Sequence, residues 1–256
     1  VMHIHFGMSG RFSIHSSDKA PQPQTTTRLR LENSENDIVA QLSAMTLTLN
    51  DVTWYEHKIK ELGPDPLRED ADKERFWAKC EKTARAVGLL LMDQAVVAGI
   101  GNIFRAEILF KAGVHPEQPA NTITRDGFER VWQHCVGCLQ AGFKYGSIRT
   151  VDPLEAKSLG AAWQRRYIYN QASCGRCGSN VLSWMMASRR AYCCPKCQAQ
   201  IPGTEFPEQR QQVVKKASNS HLFPSTCARD APETAAAFPA KLRLRELKAL
   251  LKARGL

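Results

Sequence analysis

Apolar and polar residues alternate through residues 1–14, and the alternation breaks at Gly7 and Gly10. A period of two places successive side chains on opposite faces of a strand, so this stretch predicts strand, turn, strand. The polar residues 15–27 predict a loop. Residues 27–31 and 38–49 carry further β signal, with a turn over residues 33–37. After Gly63-Pro-Asp-Pro66 the period changes. Phe76, Trp77, Cys80, Ala84, Val87 and Leu91 recur at steps of three and four and predict one helix facing a core. Two more helices are predicted, over residues 102–111 and about 125–140, with Gly99-Ile-Gly101 as a tight turn ahead of the first. Residues 161–200 predict a β-hairpin. Residues 201–238 are polar and rich in Pro, Ser, Gln and Ala, the composition of a linker.

The pattern therefore predicts an α+β multidomain chain. Residues 1–66 form a partial N-terminal β-sandwich, 67–160 a helical domain, 161–200 a cysteine-bearing hairpin, 201–239 a linker and 240–256 a basic helix.

Within the hairpin, Cys174-Gly-Arg-Cys177 and Cys194-Pro-Lys-Cys197 are separated by sixteen residues. Four thiolates in two pairs are what a tetrahedral Zn²⁺ takes, at about 2.3 Å per bond. Paired CxxC at this spacing favours structural zinc over two disulfides or a redox CxxC. Cys193 lies next to Cys194, but CxxC symmetry selects Cys194, and Cys193 faces the other way on an alternating strand. Cys135-Val-Gly-Cys138 lies in a helical stretch with no second pair and reads as two buried thiols.

Composition narrows the setting. Lys+Arg number 35 against 25 Asp+Glu, a net charge of +10. That excess points to an anionic partner, nucleic acid first. No run of about twenty apolar residues occurs, so no helical membrane span is expected. Nine cysteines without a signal-peptide pattern fit a reducing, intracellular setting. The chain opens mid-strand on Val1-Met-His-Ile-His-Phe6, which predicts a fragment whose natural N-terminus is missing.

Asn102 follows two glycines at the start of a helix. From the residues alone it is either a helix cap or part of a phosphate site at a helix N-terminus. Residues 92–116, from Met92-Asp-Gln to Val-His-Pro116, closely resemble the helix–two-turn–helix of the formamidopyrimidine-DNA glycosylase / endonuclease VIII family. His3-Ile-His-Phe-Gly-Met-Ser-Gly10 is similar to that family's central strand and loop. The cysteine pairs with Ser188-Arg-Arg-Ala-Tyr-Cys-Cys-Pro195 resemble its zinc-finger β-hairpin. The three motifs fall in the family's order and cover about residues 1–200.

This resemblance implies base-excision repair by a DNA glycosylase with AP lyase activity, acting as a monomer on double-stranded DNA that carries an oxidised base or abasic site. It assigns DNA contacts to His5, Met8, Asn102 and Arg189, with Arg190 as the neighbouring alternative. Met8 would fill the gap left by an extruded base. The nucleophile of such enzymes is an N-terminal proline amine beside a glutamate, which forms a Schiff base with the damaged nucleotide. Neither the Pro-Glu start nor the strand lysine occurs here, so no catalytic residue is expected in this chain, and the fragment is expected to hold DNA while the intact protein performs the chemistry. The alternative is a non-catalytic damaged-DNA-binding protein.

One departure matters. Where the formamidopyrimidine branch carries Asp-Pro-Arg-Arg-Phe-Gly, this chain has Asn50-Asp-Val-Thr-Trp-Tyr-Glu56. Trp54 or Tyr55 could stack into a duplex, or belong to a core. The difference favours the endonuclease VIII branch and oxidised pyrimidines. The tail from Lys241 resembles the first helix of a SAP module, which implies a nuclear protein if eukaryotic and a cytoplasmic one otherwise.

Overall fold

The computed structural model describes residues 1–7, 10–44, 46–198 and 212–213. Met8, the linker and the SAP-like tail lie outside the described residues.

The N-terminal region is β, as its alternation predicts. β1 (Met2–His5) pairs antiparallel with β5 (Thr46–Leu49), with His5 opposite Thr46. β2 (Arg11–His15), β3 (Thr27–Asn33) and β4 (Ile38–Ser43) form a second antiparallel sheet with β4 in the centre. The central strand carries the buried Val39 and Leu42. Its turn is made by Asn33, whose side chain accepts from Asn36 N at 3.1 Å, and by Asp37 in the left-handed region at φ 51°.

Residues 50–56, placed by the sequence within the partial β-sandwich, instead start helix α1 (Val52–Glu61). Asp51 caps it by accepting from Trp54 N at 2.7 Å. No residue of α1 is buried, so it has no apolar stripe to betray it. Trp54 packs against the His3 ring at 5.0 Å, while Tyr55 is exposed.

The single helix expected over residues 76–91 is broken in two. α2 (Lys73–Glu81) ends at Lys82, and α3 (Val87–Leu90) follows. Between them the backbone hydrogen-bonds sideways, with Ala120 N donating to Arg85 O and Val87 N to Gln118 O. Those partners replace helical ones, so a continuous apolar spacing runs across a kinked chain. Ala84, part of the expected stripe, is exposed. The stripe's large members still close one core, in which Phe76 meets Phe128 edge-on at 5.1 Å.

α4 (Asn102–Ala112) and α5 (Arg125–Tyr145) complete the helical domain. Gly99 at φ 86° makes the turn before α4, where a side chain would be strained. α5 starts at Thr124, which accepts from Gly127 N, and buries Cys135 and Cys138 as expected. After α6 (Pro153–Ser158) the chain reaches the hairpin β6 (Leu182–Met186) and β7 (Arg189–Cys193), and β8 (Gln212–Val213) pairs on the other edge of β6.

Polar groups lock the hairpin region to the helices. The buried Glu107 of α4 accepts from Thr150 Oγ1 (2.7 Å) and from the backbone N–H groups of Tyr167 (2.7 Å), Ile168 (2.9 Å) and Tyr169 (2.8 Å). Burial pushes the Glu107 carboxyl up, while Thr150 and the backbone amides oppose it by stabilising the carboxylate. Gly88 lies so close to the hairpin that a Cβ there would sit 2.9 Å from Met186 Sδ.

Candidate metal centre and nucleic-acid interface

The two cysteine pairs converge. The sulfurs of Cys174, Cys177, Cys194 and Cys197 lie within 4.8 Å of one another. Cys174 and Cys197 are 4.0 Å apart, and Cys177 and Cys194 3.4 Å. Ligands about 2.3 Å from a tetrahedral ion stand about 3.8 Å apart, so the set fits one metal ion. Each knuckle is closed by its own backbone: Gly178 N donates to Cys174 O, and Gln198 N to Cys194 O, both at 2.9 Å. Burial raises the Cys174 thiol to about 11. It also pushes Cys177 up, but hydrogen bonds from Ser179 and the neighbouring thiols outweigh it and hold Cys177 at about 6. Cys193 faces away, buried with Trp184, Met186 and Ala191.

β6 and β7 are joined by a two-residue turn, Ala187-Ser188, with Met186 paired to Arg189. Ala187 takes φ 52°, the left-handed geometry that suits such a turn. Arg189 is therefore the first residue after the turn, and both Arg189 and Arg190 are exposed. The hairpin docks on the helical domain along its length. Trp184 Nε1 donates to Glu117 Oε1 (2.6 Å), and its ring stacks on His115 at 5.6 Å. Gln198 Nε2 donates to Val114 O (2.8 Å).

Asn102 is the first residue of α4, but it does not cap it. Gly101 occupies the cap position, with no side-chain cap bond. Asn102 Nδ2 instead donates to Arg190 O at 3.2 Å. The cap alternative is thereby corrected: the bare glycine before it leaves the Asn102 amide free to reach across to the hairpin. The structure so brings Asn102 and Arg190 together. His5 lies in β1, exposed, and its side chain makes no hydrogen bond or ion pair among the described residues.

Sequence reasoning missed two residues of this junction, Arg105 and Glu107. Arg105 Nη2 also donates to Arg190 O, at 3.0 Å. Burial pulls its guanidinium down to about 10. The available signal was one cation and one anion inside an otherwise apolar turn-and-a-half of α4.

Electrostatically the hairpin side is one-signed. Residues 156–198 hold Lys157, Arg165, Arg166, Arg176, Arg189, Arg190 and Lys196 and no Asp or Glu. None of the seven joins an ion pair among the described residues. A segment that carries cations and no acidic residue attracts polyanions.

Residues 62–152 match the formamidopyrimidine-DNA glycosylase H2TH domain. The chain is 31% identical to Endonuclease 8 1 of Mycobacterium tuberculosis over 77% of this chain and 76% of that protein. It is 27% identical to the formamidopyrimidine-DNA glycosylase of Oceanobacillus iheyensis over 79% of this chain and 75% of that one. Among solved structures, the Lactococcus lactis formamidopyrimidine-DNA glycosylase non-covalently bound to AP-site DNA matches with a TM-score of 0.64 at 25% identity, covering 78% of this chain and 74% of that one. MutM in complex with carbocyclic 8-oxo-G containing DNA matches with a TM-score of 0.63 at 26% identity, over 78% and 74%. N-terminal sheets, an H2TH helical domain and a four-cysteine hairpin define the architecture of a DNA-repair glycosylase. The chain belongs to the formamidopyrimidine-DNA glycosylase / endonuclease VIII family.

Proposed function

We propose that the protein grips duplex DNA at an oxidised base or abasic site, with the N-terminus of α4 and the hairpin turn as the phosphate-holding surfaces. The observation that carries this reading is the junction of Asn102 with the Arg190 carbonyl, which sets an exposed arginine pair beside a helix N-terminus. Helix N–H groups and an arginine fork both suit phosphate. His5 and Met8 would contact DNA from the β side. Zn²⁺ is the ion we assign to Cys174, Cys177, Cys194 and Cys197. Four thiolate ligands leave no open position, so the metal folds the hairpin and takes no part in the reaction.

The chemistry we propose is that of a bifunctional glycosylase/AP lyase. An amine attacks C1′ of the damaged nucleotide, the C1′–N bond to the base breaks, and the resulting Schiff base permits β,δ-elimination of the strand. That amine is not assigned to a residue among the 256. Oxidised pyrimidines are the proposed substrates, because residues 50–56 lack the arginine-bearing loop of the formamidopyrimidine branch.

Borohydride trapping on duplexes carrying an oxidised pyrimidine, 8-oxoguanine or an abasic site tests both steps. A covalent adduct strongest with the oxidised pyrimidine is expected. Tight abasic-site binding without any adduct would instead identify a non-catalytic damage binder.

A further inference from the structure

A row of rings and cations runs back from the hairpin turn. Arg190 and Tyr192 lie two apart in β7 and so share one face of the strand. The Tyr192 ring meets the Tyr169 ring at 4.8 Å, and the Arg166 guanidinium lies over the Tyr169 ring at 5.5 Å. The Tyr192 hydroxyl feels both ends of the row: burial and Tyr169 push its pKa up, while the charges of Arg190 and Arg166 oppose them. The row also borders the start of α4, where Asn102 Nδ2 donates to Arg190 O. Arg166 is half-buried, and its side chain makes no ion pair or hydrogen bond among the described residues. Its charge reaches the buried Glu107 carboxyl and favours the ionised form, but the bonds to Glu107 come from Thr150 and the amides of residues 167–169. A ring beneath a guanidinium fixes its plane and leaves the N–H fork at its edge free for an anion. A fork held in that way loses little freedom when it meets a phosphate.

We propose that Arg166, set on the ring of Tyr169, is a further DNA contact that takes a second backbone phosphate, separate from the one held by Arg189 at the turn. This rests on the reading of the hairpin turn and the start of α4 as phosphate-holding surfaces. Neither arginine acts through the other, so their contributions to binding are independent.

The test is the salt dependence of binding to a duplex that carries a stable abasic-site analogue, read on the full 256-residue chain together with metal content. Arg166→Gln should weaken binding about tenfold and make the log–log salt slope shallower by about one. With Arg189→Ala also present, the slope should be shallower by about two, because independent contacts add. Arg166→Lys keeps the charge but not the fork, so the slope should be kept while affinity falls a few-fold. Arg165→Gln removes the same charge from the neighbouring, exposed residue and should change the slope by less than about 0.3. Weaker binding by Arg166→Gln at an unchanged slope would overturn the proposal and leave Arg166 as a counter-charge to Glu107. Equal slope changes for Arg165→Gln and Arg166→Gln would overturn it in favour of a diffuse positive field. If Arg166→Gln loses metal, Arg166→Met is read against the same outcomes. A slope lowered by Arg189→Ala but not by Arg166→Gln would overturn this proposal alone; a slope lowered by neither would remove the underlying reading, and this proposal with it.

Discussion

The helical domain and the N-terminal sheets begin from equally clear periodicities but bury very different amounts of what they carry. Phe76, Leu91, Val97, Ile108 and Leu109 are sealed at the centre of the helices. Among the described residues 1–62, only Val39, Gln41 and Leu42 are buried, while Ile4, Phe12, Ile14 and Leu49 are exposed. An amphipathic helix closes its core against a neighbouring helix. A sheet of two or three strands presents a face that must be covered by something else. The hairpin adds a third solution: four thiols and a few buried polar groups, Glu107 and Arg105 among them, supplement two apolar clusters, one of them shared with α4 through Ala106 and Phe110.

The largest expected effect comes from removing the Zn²⁺ we propose for the four cysteines, since a structural zinc contributes on the order of 10 kcal/mol to small folds. Chelation should abolish amide-exchange protection over residues 173–198 and leave α4 and α5 protected. Loss of both together would show that the hairpin and the helical core are one cooperative unit. Next, Phe128→Ala in the helical core should cost about 3–5 kcal/mol, against about 0.5 kcal/mol or less for Phe12→Ala on the exposed face of β2. Denaturant titration of the two variants reads the contrast, and equal costs would mean that the sheet face is covered in solution.

A smaller effect is set by pH. His115 is 3% exposed, and burial lowers its pKa to about 4, below the ordinary 6.5. Its Nδ1 accepts from Glu117 N at 3.2 Å, which fits the neutral ring. The unfolded chain then binds the extra proton between those values. Stability from this group is complete above about pH 6.5 and falls, by on the order of 3 kcal/mol, as pH drops toward 4. His115→Phe should flatten that part of the curve; an unchanged slope would assign it to other groups.

Much of the scaffold could be read from residues alone. The CxxC spacing located all four converging sulfurs, and alternation marked Cys193 as the outsider. The failures have physical causes. Helix α1 hides because it buries nothing, and only its Asp51 cap is local. The α2–α3 break hides because its cause is a set of backbone bonds to residues 118–121, distant in sequence. Asn102 looked like a cap because an N-terminal asparagine usually is one; its actual partner, the Arg190 carbonyl, lies 88 residues away. Arg105 and Glu107 gave no periodic signal, since a buried ion is an exception to the pattern rather than an instance of it.

The central claim is that the hairpin turn and the start of α4 hold DNA phosphates. The salt dependence of binding to an abasic-site duplex, compared between the unsubstituted chain and Arg189→Ala, tests it most directly. Weaker binding with a log–log slope shallower by about one is the predicted result, because one phosphate contact and its released counterion are lost. The same slope in both proteins would remove Arg189 from the interface and contradict the account.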